Sequence, residues 1–311
     1  MGHDHHHQHG QHHGHHHHAP ANYSWAFAIG ITLNLVYVGI EAFYGYLTHS
    51  LALIADAGHN FSDVIVLLLA WGASWLATRK PTLKRTYGLR RAPVLAAVFS
   101  AILLLVAMGA MSWEAVQRIQ NPVAVQGKVM MIVAGIGVIV NTLTALLFMS
   151  GSKDDLNIRG AFVHMAADAL VSLGAVVAGL IILNTGIYWI DPAVSLVIVV
   201  VILIGTMALL RDSLNLALDA VPDSIDPEAV SAYLNSVAGV TDVHDFHIWG
   251  MSTTQTALTA HLVRPEDENR DEFLRDLATG LNKQFGIDHV TIQIEHGNSD
   301  VECQQDHFPC T

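Results

Sequence analysis

The sequence predicts an α-helical membrane protein: a six-transmembrane-helix bundle followed by a small α+β cytoplasmic domain. Three observations indicate this fold class: long apolar runs, a scarcity of charge, and a change of composition near residue 211. Of the 311 residues, 52% are hydrophobic and only 14% are charged, whereas soluble domains usually carry about a quarter charged residues. The apolar runs precede residue 211, and most of the acidic residues follow it.

Six apolar runs are long enough to cross a bilayer, which takes about 20 residues per helix. They are too long and continuous for barrel strands, and a helix pairs all the N–H and C=O groups of its own backbone in lipid. The first run follows a His-rich segment without Lys, Arg or a small-residue cleavage site, so we do not interpret it as a cleaved signal peptide. The predicted spans are residues 23–47, 51–78, 92–116, 129–150, 157–184 and 188–210.

Basic residues predict the orientation. The loop 79–91, "RKPTLKRTYGLRR", holds six Lys or Arg, whereas the loop between the third and fourth spans holds Arg118 and Lys128. The positive-inside rule therefore places both termini in the cytoplasm. The formal charge of −12 arises mostly from acids beyond residue 211, which we interpret as a solvated surface, so no nucleic-acid partner is expected.

Composition divides the chain into four parts. Residues 1–20, "MGHDHHHQHGQHHGHHHHAP", form a His-rich cytoplasmic tail that is expected to be disordered and to collect metal loosely. Residues 21–211 form the membrane domain, and residues 212–298 a small soluble domain in the cytoplasm. Residues 299–311 form a tail containing Cys303 and Cys310.

The predicted order of elements in the domain 212–298 is α-β-β-α-β. The first helix opens at Asp226 and Pro227, and the second is stopped by Gly286. The segments "VTDVHDFHIWGM", "QTALTAHLVRP" and "HVTIQIEH" are rich in β-branched and aromatic residues and predict three strands. A small sheet with both helices on one face is expected.

Two His-x-x-x-Asp pairs lie inside predicted spans: His59 with Asp63, and His164 with Asp168. Residues i and i+4 share one face of a helix, so two facing helices would bring two imidazoles and two carboxylates together. Such a tetrahedral set suits Zn²⁺, and a bound cation explains acids within the bilayer. The alternative is that these four residues only pack helices together.

Asp56 lies about one turn before His59. Two interpretations stay open: it orients the His59 imidazole from behind the metal, or it caps a kink near the membrane surface.

The chain resembles the cation diffusion facilitator family, and most closely its bacterial zinc, cobalt and cadmium efflux branch. The resemblance rests on "SLALIADAGHNFSD", "GAFVHMAADALVS" and the run "VHDFHIWG … LTAHLV … HVTIQIE". It implies a homodimer in the bacterial inner membrane that exports Zn²⁺ in exchange for protons and is not an enzyme. It also implies a ferredoxin- or metallochaperone-like cytoplasmic domain, with the two His-x-x-x-Asp pairs as transport ligands.

The resemblance further implies that His244, His261 and Glu295 bind a regulatory Zn²⁺. The alternative is that they are ordinary polar surface residues. His244 and His247 are three positions apart and would face opposite sides of a regular strand, so we do not expect them to share a metal. Gln293 stands where some relatives carry a His, which puts a two-metal site in doubt.

Two further pairs have open roles. The resemblance implies that Arg91 and Asp219 form a charge interlock at the dimer hinge; the alternative is a solvated basic loop. Cys303 and Cys310 either capture metal or are cytosolic thiols without a metal role.

Three other functions compete with export: a membrane metalloenzyme, a metal sensor and a passive channel. The H-E-x-x-H motif of zinc proteases does not occur in the sequence, and a sensor would leave the six spans unexplained. A channel differs from an antiporter in proton coupling.

A histidine must be neutral to ligate a metal, so metal binding releases protons and protonation releases the metal. Imidazole and carboxylate together accept Zn²⁺, Co²⁺ and Cd²⁺, and the sequence does not rank them.

Overall fold

The computed structural model describes residues 23–47, 51–120, 127–187, 189–265 and 269–297. Its N-terminal part contains long helices at the positions of the predicted spans. They are α1 (Ser24–Leu47), α2 (Leu51–Ala77), α3 (Ala92–Gln120), α4 (Gly127–Phe148), α5 (Leu156–Thr185) and α6 (Ile190–Ala217).

Four of these helices contain stretches long and apolar enough to cross a membrane, within the part of the chain that is described. The stretches are Ala92–Gln120, Met131–Phe148, Leu156–Thr185 and Pro192–Ala217. Shorter apolar stretches, Ser24–Ile40 and Asp63–Ala77, lie in α1 and α2. The structure therefore has a helical membrane part with four apolar spans, and the count of six stays a prediction.

Helix α6 continues beyond the predicted end of its span, to Ala217 rather than residue 210. The apolar run ends at Arg211 and Asp212. The helix continues past them because its backbone hydrogen bonds do not require apolar side chains. Nη1 of Arg159 on α5 donates to Oδ2 of Asp212 at 2.6 Å. This ion pair joins the polar extension of α6 to the start of α5.

Helix α5 lies between two apolar clusters. Ile158, Ala161 and Met165 pack with residues of α1, α2 and α4 in one cluster. Ala167 packs with residues of α3 and α6 in the other. Side chains on α5 are thus buried on several sides, and His164 and Asp168 lie inside the bundle.

The C-terminal part forms the predicted α-β-β-α-β domain. Its elements are α7 (Pro227–Ser236), β1 (Asp242–Gly250), β2 (Thr256–Val263), α8 (Arg270–Phe285) and β3 (His289–Glu295). The strand order is β1-β2-β3, with β1 and β2 antiparallel and β2 and β3 parallel. Side chains of α7, α8 and all three strands share one apolar core.

The predicted helix boundaries in this domain are confirmed. The Asp226 carboxylate caps α7 by accepting from the backbone N–H groups of Glu228 and Ala229. Gly286 ends α8 with φ of 70°, in the left-handed region that glycine enters without steric cost.

Strand β1 is not regular. Its register against β2 shifts between His244 and His247, and Asp245 within the shift has φ of 48°. The prediction for this stretch assumed a regular strand and was wrong in that respect, because a bulge adds a residue and changes the face that each side chain takes.

The turn between β1 and β2 contacts the membrane part. Nη1 of Arg90 donates to Oε1 of Gln255 at 2.8 Å, and the side chain of Thr253 hydrogen-bonds to Asp155 before α5. The turn thus touches both the α2–α3 loop and the start of α5.

Candidate metal centres

Asp63, His164 and Asp168 form a buried group that we call the membrane cluster. Nε2 of His164 lies 3.0 Å from Oδ1 of Asp63 and 3.7 Å from Oδ2 of Asp168. One candidate ligand atom from each residue lies within 4.8 Å of the others. All three residues are at most 7% exposed.

Helix geometry explains how the cluster forms. His164 and Asp168 occupy one face of α5, one turn apart, and α2 packs against that helix. The arrangement therefore brings residues from two distant parts of the sequence to one point.

The donor set of the membrane cluster fits a divalent cation. Two carboxylates and one imidazole supply oxygen and nitrogen ligands of the kind that Zn²⁺ accepts. The predicted fourth donor, His59, and its neighbour Asp56 have side chains that lie outside the described residues, so both assignments stay predictions. Nδ1 of His164 is buried without a hydrogen-bond partner among the described residues, and Nε2 is the nitrogen that faces both acids.

Asn157 supports the same pair of helices and was missed from the sequence. Its Nδ2 donates to the backbone oxygen of Ala70 at 2.8 Å and to Oγ of Ser74 at 2.9 Å. Asn157 precedes His164 by seven positions and Ala70 follows Asp63 by seven, so this contact lies about two turns from the cluster. The spacing of seven, which keeps one helical face, was the signal available in the sequence.

Asn34 is a second buried amide near the cluster. Its Nδ2 donates to the oxygen of Gly30 at 2.9 Å and to Oγ1 of Thr144 at 3.3 Å, and it lies 3.9 Å from Sδ of Met165. It thereby connects α1 with α4 and with the residue next to His164.

His244, His261 and Glu295 form a second group, the C-terminal cluster. Nε2 of His244 lies 3.3 Å from Oε2 of Glu295, and Nδ1 of His261 lies 3.1 Å from Oε1. His244 and His261 are direct partners across β1 and β2. The structure brings together the three residues implied by the resemblance, and their nitrogen and oxygen donors also suit Zn²⁺.

Gln293 donates from Nε2 to Oε1 of Glu295 at 3.0 Å. The amide of Gln293 therefore holds a carboxylate of the C-terminal cluster. His247 contacts Asp245 instead, and among the described residues it does not belong to either cluster.

Arg91 and Asp219 form an ion pair within one chain. Both side chains are about half exposed, at 45% and 55%. The pair joins the start of α3 to the segment after α6, and its proposed role at a dimer hinge stays a prediction. Cys303, Cys310 and the His-rich residues 1–20 lie outside the described residues.

Asp155 is the N-cap of α5, and its carboxylate accepts from the backbone N–H of Asn157 at 2.8 Å. Burial raises the pKa of the Asp155 carboxyl, and hydrogen bonds from Asn157, Thr253 and Ile158 offset this only in part. The helix that carries two members of the membrane cluster thus begins at a desolvated acid in contact with the C-terminal domain.

Two family models match the chain. The model of the cation efflux transmembrane domain matches residues 27–216, and that of the cation efflux protein cytoplasmic domain matches residues 222–297. Together they include both clusters.

Curated relatives cover most of the chain. The cadmium, cobalt and zinc/H⁺-K⁺ antiporter of Bacillus subtilis is 35% identical over 87% of this chain and 92% of that protein. The metal cation efflux system protein CzcD of Cupriavidus metallidurans is 35% identical over 90% of this chain and 89% of that protein. The zinc transporter ZitB of Escherichia coli is 36% identical over 87% of this chain and 86% of that protein.

Proposed function

Because the chain belongs to the cation diffusion facilitator family of cation efflux proteins, we propose that it exports Zn²⁺ from the cytoplasm in exchange for protons. Co²⁺ and Cd²⁺ are further expected substrates, since the named relatives include a cadmium, cobalt and zinc antiporter and a zinc transporter. Those relatives are transporters rather than enzymes, and we assign this chain no enzymatic activity.

The observation that carries the proposal is the membrane cluster. Ionisable side chains within apolar helices are costly, and those that occur mark ion or proton pathways. Asp63, His164 and Asp168 are buried together on α2 and α5. In the proposed site His59 supplies the fourth ligand and Asp56 either orients that ligand or caps a kink.

Proton exchange follows from the chemistry of the donors. An imidazole nitrogen that holds a proton cannot ligate a metal, so Zn²⁺ and protons compete for the same atoms. In the structure Nε2 of His164 faces Asp63 and Asp168, so the same nitrogen can donate to a carboxylate or bind the ion. Loading from the cytoplasm and protonation from the outside would then couple proton entry to metal export.

Alternating access requires the helices that hold the ion to move together. Helices α2 and α5 are connected by the His164–Asp63 contact and by the hydrogen bonds of Asn157 to Ala70 and Ser74. We propose that these two helices rock as a unit against the other helices of the bundle.

The proposal also covers the position of each part of the chain relative to the membrane. Residues 21–211 form six spans, with both termini in the cytoplasm of a bacterium and the bundle in its inner membrane. Residues 212–298 form a cytoplasmic domain that pairs with a second copy to give a homodimer and binds regulatory Zn²⁺ at the C-terminal cluster. Residues 1–20 are proposed to collect metal, and residues 299–311 are the segment that contains Cys303 and Cys310.

Metal flux into sealed proteoliposomes tests the proposal. Purified protein is reconstituted with a zinc-sensitive dye inside, and Zn²⁺ uptake is compared with and without an imposed pH gradient. Wild-type protein is expected to respond to the gradient, whereas Asp168→Asn, which keeps the shape but removes the charge, is expected to lose most of the flux. Parallel runs with Co²⁺, Cd²⁺ and Mn²⁺ rank the substrates.

Asn184→Ala is the matched control on the same helix. Its side chain is exposed and bonds only the Leu180 oxygen of its own helix among the described residues, so flux should stay near the wild-type rate. Zinc flux in Asp168→Asn equal to that of the wild type would refute the site. Wild-type flux that ignores the pH gradient would indicate a channel rather than an antiporter.

A further inference from the structure

Each imidazole of the C-terminal cluster has a carboxylate on the nitrogen that faces away from Glu295. His244 approaches Glu295 through Nε2, and its Nδ1 lies 3.4 Å from Oδ2 of Asp242. His261 approaches Glu295 through Nδ1, and its Nε2 lies 3.3 Å from Oδ2 of Asp245. The two outer acids have so far been given no role.

A carboxylate in this place determines which ring nitrogen carries the proton. A neutral imidazole has one N–H donor and one lone pair. An acid beside Nε2 of His261 keeps the N–H there and leaves the lone pair on Nδ1, which faces Glu295. Metal-bound histidines are commonly oriented by such carboxylates, which also raise the basicity of the ligand.

The backbone of β1 is distorted at the residue that supplies this acid. Asp245 has φ of 48° and lies where the register of β1 shifts between His244 and His247. On a regular strand, Asp245 would face the side opposite its neighbour His244. The bulge instead brings its carboxylate to His261. Left-handed backbone is uncommon for residues other than glycine, and such positions concentrate at binding sites.

The second oxygen of the Asp245 carboxylate is also held. Its Oδ1 lies 3.0 Å from Nε2 of His247, whose side chain is 49% exposed. Asp245 is itself only 21% exposed, whereas Asp242 is 66% exposed. Water screens an exposed acid more strongly, so Asp245 is the better placed of the two to act on its histidine.

We propose that Asp245 is a positioning residue for metal binding at the C-terminal cluster: it fixes the ring and the tautomer of His261 so that Nδ1 is presented to the ion. Asp242 acts in the same way, more weakly, on His244. The inference rests on the proposed regulatory site. His247 orients the Asp245 carboxylate and does not ligate the metal.

Zn²⁺ titration of the full-length chain in detergent, against a competing chelator, tests this role. The Glu295→Ala chain serves as the reference, and the ions that it fails to bind define the C-terminal cluster. Asp245→Gly is the informative variant, because glycine adopts positive φ readily and the carboxylate is lost without new backbone strain. We expect about 10- to 100-fold weaker binding at this cluster.

Asp245→Asn is the conservative variant. Its amide oxygen still accepts from Nε2 of His261 and asparagine tolerates left-handed backbone, so a smaller loss of affinity is expected. The unfolding temperature of the zinc-free chain should not fall in Asp245→Gly. Co²⁺ absorption recorded on the same variants should change in band intensity if the geometry of the His261 ligand changes.

Three results would overturn the inference. The first is Asp245→Gly binding Zn²⁺ as tightly as the wild type. The second is a fall in zinc-free stability that accompanies the lost affinity and is not relieved in Asp245→Asn, because that indicates a structural role. The third is equal zinc binding by wild type and Glu295→Ala, which removes the regulatory site as well. Proteoliposome flux is measured separately, so none of these results decides the exporter function.

Discussion

Nε2 of His164 lies 3.0 Å from Oδ1 of Asp63, a residue 101 positions earlier in the chain. Both side chains are buried, and the contact joins the two helices that each carry a His-x-x-x-Asp pair. Removing one partner of such a buried contact leaves the other without a hydrogen bond, which costs free energy. Its two members should therefore behave as one functional unit.

A double-mutant cycle tests whether they do. Asp63→Asn and His164→Gln are each expected to abolish most zinc flux in proteoliposomes, because each removes a donor to the same ion. The double variant should lose little beyond either single variant, since residues of one site are not additive. Losses that simply multiply would indicate two independent roles for Asp63 and His164.

The contact of Asn157 with α2 should contribute to the stability of the bundle. Asn157→Ala removes hydrogen bonds to Ala70 and Ser74. Polar contacts between membrane helices average about 0.6 kcal/mol in double-mutant cycles, so we expect a loss of about 1 kcal/mol of unfolding free energy in detergent. Ser74→Ala removes one of the two acceptors and should cost about half as much. An Asn157→Ala chain as stable as the wild type would contradict this assignment.

Asp155 should influence stability through its cap and its charge. Asp155→Ala removes the N-cap of α5 and should cost about 1 kcal/mol of unfolding free energy, whereas Asp155→Asn keeps the cap.

Because burial raises the pKa of the Asp155 carboxyl in the folded chain, the folded wild type favours the protonated acid. The stability that the protonated Asp155 carboxyl contributes is fully present below the pKa of this group in the unfolded chain, about 3.9. That stability is lost as the pH rises through the higher pKa of the folded chain.

Unfolding temperatures of the wild type and Asp155→Asn, measured from pH 4 to pH 7, check this sign. The stability of Asp155→Asn relative to the wild type should increase over that range. A difference that shrinks with rising pH would show that the charged form is the one stabilised.

The Arg91–Asp219 pair should matter for function more than for stability. Exposed ion pairs contribute about 1 kcal/mol or less, and both side chains are about half exposed. If the pair is an interlock at the hinge, Arg91→Asp and Asp219→Arg should each reduce zinc flux, and the double charge swap should recover it. Single charge reversals with wild-type flux would identify the loop as a solvated basic segment.

The helices and their polar pairs could be predicted because their signals are local. Apolar runs predicted the positions of α1 to α6, and the four-residue spacing predicted that His164 and Asp168 share a face. The end of α6 was placed too early, since the prediction used hydropathy and the helix continues beyond its apolar part to Ala217.

The features that were missed depend on tertiary contacts. Asn157 is the first residue of the fifth predicted span and was given no role, and its partners on α2 become visible only once α5 packs against that helix. The bulge at Asp245 could not be predicted either, because nothing in "VHDFHIWG" other than the short polar side chain of Asp245 favours positive φ. That bulge decides which acid meets His261.

If the membrane cluster holds the transported ion, the isolated protein should bind zinc there. Zinc counting and zinc X-ray absorption measure this on a chain that starts at residue 21 and carries Glu295→Ala, Cys303→Ser and Cys310→Ser, so that the His-rich segment, the C-terminal cluster and the two cysteines contribute nothing. We predict about one Zn²⁺ per chain with nitrogen and oxygen ligands at about 2.0–2.1 Å, and loss of that ion when Asp63→Asn and Asp168→Asn are added. An ion that persists in the doubly substituted chain, or a sulfur ligand at about 2.3 Å, would contradict the account.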